Sequence, residues 1–331
     1  MQDSQDRRDT VHSAQHDAQD RRGAILLTHI ANDASASSSR SGDEKGSIHS
    51  AQQQDAENSQ SRQYRFLNTG TQNAALNMAI DEAVLIHHLR GEAPPTLRVF
   101  RWSQPSISLG RFQYVEREIL VDACQRQGIA LVRRPTGGRA VYHRDEFTYS
   151  MVIGKSYNVP SGVVAAYAYL AQGIIAALGK LGVQAELSEG RVSKTPAAAC
   201  FASSTQADLT SGGYKMVGSA QVWRDDALLQ QGSLPLDDRS AEFYALLAFP
   251  SEAERSSALA LYREHTTPLH TFAPNVSWYD VASAFSVGFS EALHTEFVPG
   301  ELSTSEWNLA RQLVQEKYNH LTWREEKVRL V

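Results

Sequence analysis

The stretch Arg133-Arg134-Pro135-Thr136-Gly137-Gly138-Arg139-Ala140-Val141-Tyr142-His143 lies between two segments that read as strands, 129–134 and 147–153. Paired glycines let a backbone approach a ligand closely and leave N–H groups free for an acyl carbonyl or a phosphate. Flanking arginines suit an anion. As a bare pattern it equally suits a hairpin turn. It lacks the spacing of a dinucleotide fingerprint or of a phosphate-binding loop.

Outward from this loop, strands and helices mix. On the N-terminal side, 73–89 carries apolar residues at helical spacing, with Asn73 or Thr71 as cap and Gly91-Glu92-Ala93-Pro94-Pro95 as stop. Residues 96–102 alternate like a strand, 106–110 read as a second strand, and 115–126 as a helix ending at Gly128. On the C-terminal side, 163–181 reads as a long helix. Residues 217–223 and 227–234 read as a hairpin turning at Arg224-Asp225-Asp226, and 278–293 and 303–318 as helices. No repeat is visible, so the expected class is a mixed α/β domain with helices flanking a mixed sheet.

Composition sets the limits. The chain has 331 residues, 42% of them hydrophobic, and a formal charge of −5. That balance lacks the basic footprint of a nucleic-acid binder. Two cysteines, Cys124 and Cys200, are too few for a disulfide framework and fit a reducing compartment. The apolar run near the N-terminus, 24–27, is too short for a membrane span or a signal sequence. A cytoplasmic monomer is the expectation. Residues 1–63 contain no Phe or Trp and no Tyr, and are rich in Ser, Gln, Asp and Ala. Such a segment buries too little apolar surface to offset its ordering entropy, so it reads as a disordered extension before a domain of 64–331.

Three further motifs hold chemistry-bearing residues. Ala197-Ala198-Ala199-Cys200-Phe201 places a cysteine in a small-residue loop, where a nearby cation would favour the thiolate; a lone cysteine is more often an inert small residue. Gly213-Tyr214-Lys215-Met216-Val217-Gly218-Ser219-Ala220-Gln221 sets a lysine before a glycine-bearing strand. Gln230-Gln231-Gly232-Ser233-Leu234 is that strand's partner. His143-Arg144-Asp145-Glu146 lacks metal-ligand spacing, so no metal site is expected and His143 reads as structural or supporting. His87 and His88 read as surface residues, and Cys124 as a small core residue.

Together these motifs resemble the lipoate/biotin protein ligase and octanoyltransferase superfamily, and within it the cysteine-dependent enzymes that move octanoate from acyl carrier protein. Asn77-Met78-Ala79-Ile80-Asp81-Glu82-Ala83 is similar to the family's first-helix motif, 133–143 to its glycine loop, and Ala199-Cys200-Phe201 to its nucleophile motif. Lys215 to Gln221 with Gln231-Gly232-Ser233 is similar to its hairpin, and Pro299-Gly300-Glu301-Leu302 with Lys317-Tyr318 and Trp323 to its tail. The resemblance covers roughly 64–325. Residues 202–205, Ala-Ser-Ser-Thr, depart from the sequence expected after Phe201.

The resemblance implies the fold of a biotin/lipoyl ligase catalytic domain and a protein N-octanoyltransferase that needs no cofactor. The implied catalytic residues are Cys200 and Lys215. The implied substrate-binding residues are Arg134, Thr136, Gly137, Gly138, Arg139, Ala140, Val141, His143, Gly218, Ser219 and Ala220. Backbone N–H groups near Gly137-Gly138 and Gly218 would hold the oxyanion, and Val141 and Val217 would line an acyl tunnel. The implied partners are octanoyl-acyl carrier protein as donor and, as acceptor, the glycine cleavage H protein or a lipoyl domain of a 2-oxoacid dehydrogenase. Two alternatives share the fold: an ATP-dependent lipoate–protein ligase, and an amidotransferase that moves octanoyl or lipoyl groups between carrier proteins. A ligase would tend to show a third glycine where Arg139 stands, and has no need of Cys200.

Overall fold

Asn73 caps the first helix as its sequence suggests: its Oδ1 accepts the Leu76 N–H at 2.9 Å, filling one of the donors that a helix start leaves orphaned. The computed structural model describes residues 63–188 and 208–321. Residues 1–62, which hold nearly all of the expected extension, lie outside them, and so does Cys200. The first strand begins at Gln63, one residue inside the stretch assigned to that extension.

In chain order the elements are β1 (Gln63–Gln72), α1 (Ala74–Leu89), β2 (Thr96–Trp102), β3 (Ser106–Leu109), α2 (Val115–Glu118), α3 (Val121–Arg126), β4 (Ala130–Arg133), β5 (Val141–His143), β6 (Glu146–Gly154), α4 (Val163–Lys180), β7 (Glu186–Leu187), β8 (Leu209–Ser211), β9 (Tyr214–Arg224), β10 (Ala227–Pro235), α5 (Ser240–Tyr244), α6 (Glu252–His265), α7 (Trp278–Ala292), β11 (Glu296–Pro299) and α8 (Thr304–Leu313). A large sheet runs β11-β1-β2-β6-β10-β9-β8-β7, and a small one runs β4-β3-β5. In the large sheet β1 pairs in parallel with β11 and β2, and every other pairing is antiparallel.

The central strand β6 is buried along its whole length, so both its faces must be covered. Its two-residue alternation divides the work. Val152 joins the core cluster of α1, and Ser150 donates to Asp81 of α1. Phe147 and Tyr149 point the other way, to the rings of Phe285 on α7 at 4.6 and 5.3 Å. Helix α4 has the length and apolar composition of a membrane span. One side of it packs on α7, so closely that a Cβ at Gly288 would stand 2.3 Å from the Ala177 backbone nitrogen.

Several expectations need correction. Residues 115–126 form two short helices, α2 and α3, rather than one. The helix read over 303–318 runs as α8 only to Leu313 and ends in a π turn at Val314–Tyr318. His87 and His88 are buried, not surface. Each Nδ1 sits against a carbonyl oxygen, Ala83 at 2.9 Å and Ala93 at 2.8 Å, because α1 is covered on most sides. Burial lowers the pKa of His88. Cys124 is buried in the core beside Ile107 and Leu109, as expected, and burial pushes its thiol pKa up.

Candidate active site

The glycine loop takes its shape from its own arginine. Arg134 donates to Ser108 O at 2.9 Å and Ser108 Oγ at 3.1 Å on β3, and to the carbonyls of Gly137 at 2.6 Å and Arg139 at 2.7 Å. Its guanidinium therefore spans four oxygens and folds the loop back onto the small sheet. Arg133 turns inward as well, onto the carbonyls of Gly110 and Gln113. Gly138 adopts φ +86°, a conformation open to glycine at low cost. Arg139 is half-exposed and pairs with Glu118 at 3.2 Å. Ala140 is fully buried in the core of the small sheet.

A buried relay then ties the loop to two other motifs. Thr136 Oγ1 donates to Gln231 Oε1 at 2.8 Å, and Gln231 Nε2 donates to Asp81 Oδ2 at 2.6 Å. Asp81 Oδ1 accepts Ser150 Oγ at 2.6 Å and Arg98 Nη1 at 2.6 Å. Arg98, 1% exposed, also donates to Asn77 Oδ1 and Thr69 Oγ1. A charge this deep survives only when fully partnered. The glycine loop, the first-helix motif and the hairpin are therefore one hydrogen-bonded unit, although they are far apart in sequence. Arg98 carried no sequence signal beyond its place in a strand, since its partner lies on another element.

Between these motifs lies a narrow, mostly apolar slot. Its lining includes Met78, Phe100 and Trp102, Arg134, Val141 and His143, and Gly218, Ser219, Ala220 and Gly232. Its cavity volume is about 30 Å³. Met78, Phe100 and Gly232 are buried, whereas Val141 and Gly218 to Ala220 are part-exposed, so the slot opens on the latter side. Gly232 is required there, because a Cβ would stand 2.1 Å from the Tyr149 ring. The Tyr149 hydroxyl is held by Gln230 at 2.7 Å and Ser219 at 3.0 Å, and burial pushes its pKa up to about 12.

The structure brings Arg134, Val141, His143, Gly218, Ser219 and Ala220 to one slot. Gly137, Gly138, Arg139 and Ala140 are not among its lining residues, and Thr136 is tied to it through Gln231. On β9 the lining residues are Gly218 to Ala220, not Val217, which is buried.

His143 closes one side of the slot. Its ring stacks on Trp102 with centroids 3.9 Å apart. Nδ1 lies 2.5 Å from Glu146 Oε1 and Nε2 lies 2.7 Å from Ser108 Oγ. Thr148 and Ser233 also donate to the Glu146 carboxylate, and Trp102 Nε1 donates to Thr148. Both ring nitrogens are thus engaged, which fixes the ring's orientation. Trp102 and Ser108 were not legible as site residues, since nothing in a strand's alternation distinguishes them, and Glu146 drew notice only within the 143–146 motif.

Lys215 lines a cleft of about 330 Å³, which shares Val141 and Ser233 with the slot and whose other walls include Phe243 and Tyr262 beside the charged Arg144, Asp237, Arg239 and Arg263. Its Nζ lies 2.8 Å from Asp208 Oδ1. Among the described residues no group of three or more His, Cys, Asp or Glu is placed to hold a metal.

The tail motif folds back onto α1. Glu82 accepts from Lys317 Nζ at 2.8 Å, from Arg224 Nη2 at 2.5 Å and from the Tyr318 hydroxyl. Trp323 lies outside the described residues.

Comparison with known proteins agrees with this architecture. The model of the lipoyl protein ligase A/B catalytic domain matches residues 73–290. An octanoyltransferase LipM of Kyrpidia tusciae is 41% identical over 259 residues, covering 76% of this chain and 94% of its own. One from Symbiobacterium thermophilum is 39% identical, covering 78% and 97%. Among solved structures, a bipartite lipoate protein ligase from Thermoplasma acidophilum superposes with a TM-score of 0.68 at 27% identity, covering 81% of this chain and 100% of that one. A lipoate-protein ligase A bound with ATP gives 0.65 at 27%, covering 79% and 98%. The chain belongs to the lipoyl protein ligase A/B catalytic domain family.

Proposed function

We propose that this enzyme transfers an octanoyl group, during lipoate assembly, from the thioester of acyl carrier protein to a lysine of a lipoyl-bearing protein. The acceptor is the glycine cleavage H protein or a lipoyl domain of a 2-oxoacid dehydrogenase. The observation that carries the reading is the apolar slot, which shares Val141 and Ser233 with the cleft that Lys215 lines. An acyl chain lying in the slot would present its carbonyl toward Lys215. Met78, a flexible thioether at the inner end, is the wall most easily displaced to admit it. The octanoyltransferase relatives support the acyl group.

Transfer proceeds in two steps. The Cys200 sulfur bonds to the acyl carbon, the donor's carbon–sulfur bond breaks, and the Cys200 proton leaves with the donor thiol. The acceptor's neutral amine then bonds to the same carbon, the Cys200–acyl bond breaks, and the amine proton returns to the Cys200 sulfur. Splitting a difficult aminolysis in this way is the ordinary benefit of a covalent intermediate. Lys215 supplies a cation that favours the thiolate and orients the carbonyl. The Gly218 N–H would meet the oxyanion, a contribution of roughly 3–4 kcal/mol per donor in other enzymes. The thioester is already activated, so neither nucleotide nor metal enters. Cytoplasmic localisation and action as a monomer are part of this proposal.

The likeness to solved lipoate–protein ligases favours one competing reading, ATP-dependent ligation of free lipoate. A single assay separates the two. Octanoyl-carrier protein and apo H protein are incubated with the enzyme, and product is measured with and without ATP. Transfer without ATP that is lost in Cys200→Ala is the expected result. A requirement for ATP and free acid would replace the proposal with the ligase reading.

A further inference from the structure

Lys215 is held from three directions, and one of its partners has no assigned role. Its backbone pairs with Thr210 on β8, and its carbonyl accepts the Thr267 N–H at 3.0 Å. Its ammonium meets Asp208 at 2.8 Å, and both side chains are 9% exposed. A buried ion pair is a poor device for stability, because desolvating the two charges offsets most of their attraction. What such a pair provides is a defined geometry.

Asp208 stands where that geometry matters. It follows Cys200 in sequence, and Ser188 precedes that cysteine. The Ser188 N–H donates to Asp208 O at 2.8 Å, and the Asp208 N–H donates to Ser188 Oγ at 3.2 Å. One step further out β7 pairs with β8, Glu186 opposite Thr210. Ser188 and Asp208, which flank Cys200 in sequence, are therefore joined to each other, and Asp208 is also the residue gripping Lys215.

We infer that Asp208 is a positioning residue. Its carboxylate holds the Lys215 ammonium at one edge of the cleft that Lys215 lines. A lysine side chain is a compact charge on a flexible four-carbon stem. Pairing removes that freedom before the donor arrives, so the ammonium is in place when the Cys200 sulfur bonds to the acyl carbon and the donor thiol leaves with the proton. The inference rests on the thioester reading proposed above.

The test uses the full chain and octanoyl-acyl carrier protein. The single-turnover rate of Cys200 acylation is followed by intact mass as donor concentration is varied, for the wild type, Asp208→Asn, Asp208→Glu, Lys215→Ala and the double variant Asp208→Asn/Lys215→Ala. Asp208→Asn should lower the maximal rate about 100-fold, the scale of a misplaced catalytic group, and leave the half-saturating donor concentration nearly unchanged. Asp208→Glu should recover most of that loss. Asp208→Asn should cost nothing more once Lys215 is alanine, because it acts through Lys215. A wild-type maximal rate in Asp208→Asn, or losses that add in the double variant, would overturn the inference and leave the thioester reading standing. Should Asp208→Asn fail to fold, Asp208→Glu acylating no faster than Lys215→Ala would overturn it equally. A wild-type protein that takes up no octanoyl would overturn both.

Discussion

Asp81 and Glu82 are neighbours on α1, both buried and both carboxylates, yet they tie the helix to different regions. Asp81 binds inward to Arg98, Ser150 and Gln231, and through Gln231 to Thr136 of the glycine loop. Glu82 binds Lys317, Arg224 and Tyr318, and so secures the C-terminal tail. The cations differ in burial: the Arg98 side chain is 1% exposed, while those of Arg224 and Lys317 are 33% and 21% exposed. One carboxylate therefore shapes the slot and the other fastens the fold's edge, so loss of the first should cost activity and stability together, and loss of the second stability alone.

Asp81→Asn should break that contrast most severely. It strands the Arg98 guanidinium without a counter-charge, a loss of about 3–5 kcal/mol, and loosens Gln231 from the loop. Chemical denaturation and octanoyl transfer should both fall. Gly232→Ala tests the slot side without touching charge. Its Cβ meets the rigid Tyr149 ring at 2.1 Å, which should cost about 2–3 kcal/mol by overpacking and lower transfer per folded molecule as well, since Gly232 lines the slot. Glu82→Gln should cost less, about 1–2 kcal/mol at pH 7, with transfer per folded molecule kept.

The Glu82 effect should also depend on pH. Burial works to raise the Glu82 pKa, but the charge and hydrogen bond of Lys317, the Tyr318 hydroxyl and Arg224 outweigh it and leave it below the usual carboxylate range. A carboxylate held low in the folded state contributes its full stability above the unfolded pKa, about 4.3. That contribution is lost as pH falls through the folded value. The stability gap between Glu82→Gln and the wild type should therefore be widest near pH 7 and shrink below about pH 4; a gap constant with pH would contradict the pairing. Smallest of all, Cys124→Ala should leave acylation unchanged, since burial disfavours the Cys124 thiolate. A large loss of acylation there would sink the choice of Cys200.

Much of this was legible in the sequence, for a physical reason in each case. The long strands showed because β2 and β6 recur at two-residue spacing, and the hairpin showed because Asp225 and Asp226 supply its turn, with Asp225 at φ +47°. Helix α1 showed through its cap and apolar spacing. Helix α6 did not, because none of its residues is fully buried and its apolar face is short, with Ala258, Leu259 and Tyr262 packing part-exposed against the core. Strand β5 hid inside the glycine loop motif, being three residues long. His87 and His88 misled because polarity suggested solvent, where carbonyl partners allow burial. The relay from Arg98 to Thr136 was invisible for the same reason as the Asp208–Lys215 pair: its members meet only after folding.

The central claim is that Cys200 carries the acyl group. The most direct measurement is peptide-level mass spectrometry of the protein after brief exposure to octanoyl-acyl carrier protein, without ATP or acceptor. One octanoyl group on the Cys200 peptide, discharged when apo H protein is added, is the predicted result. An unmodified Cys200 peptide under conditions in which the acceptor still becomes octanoylated would contradict it.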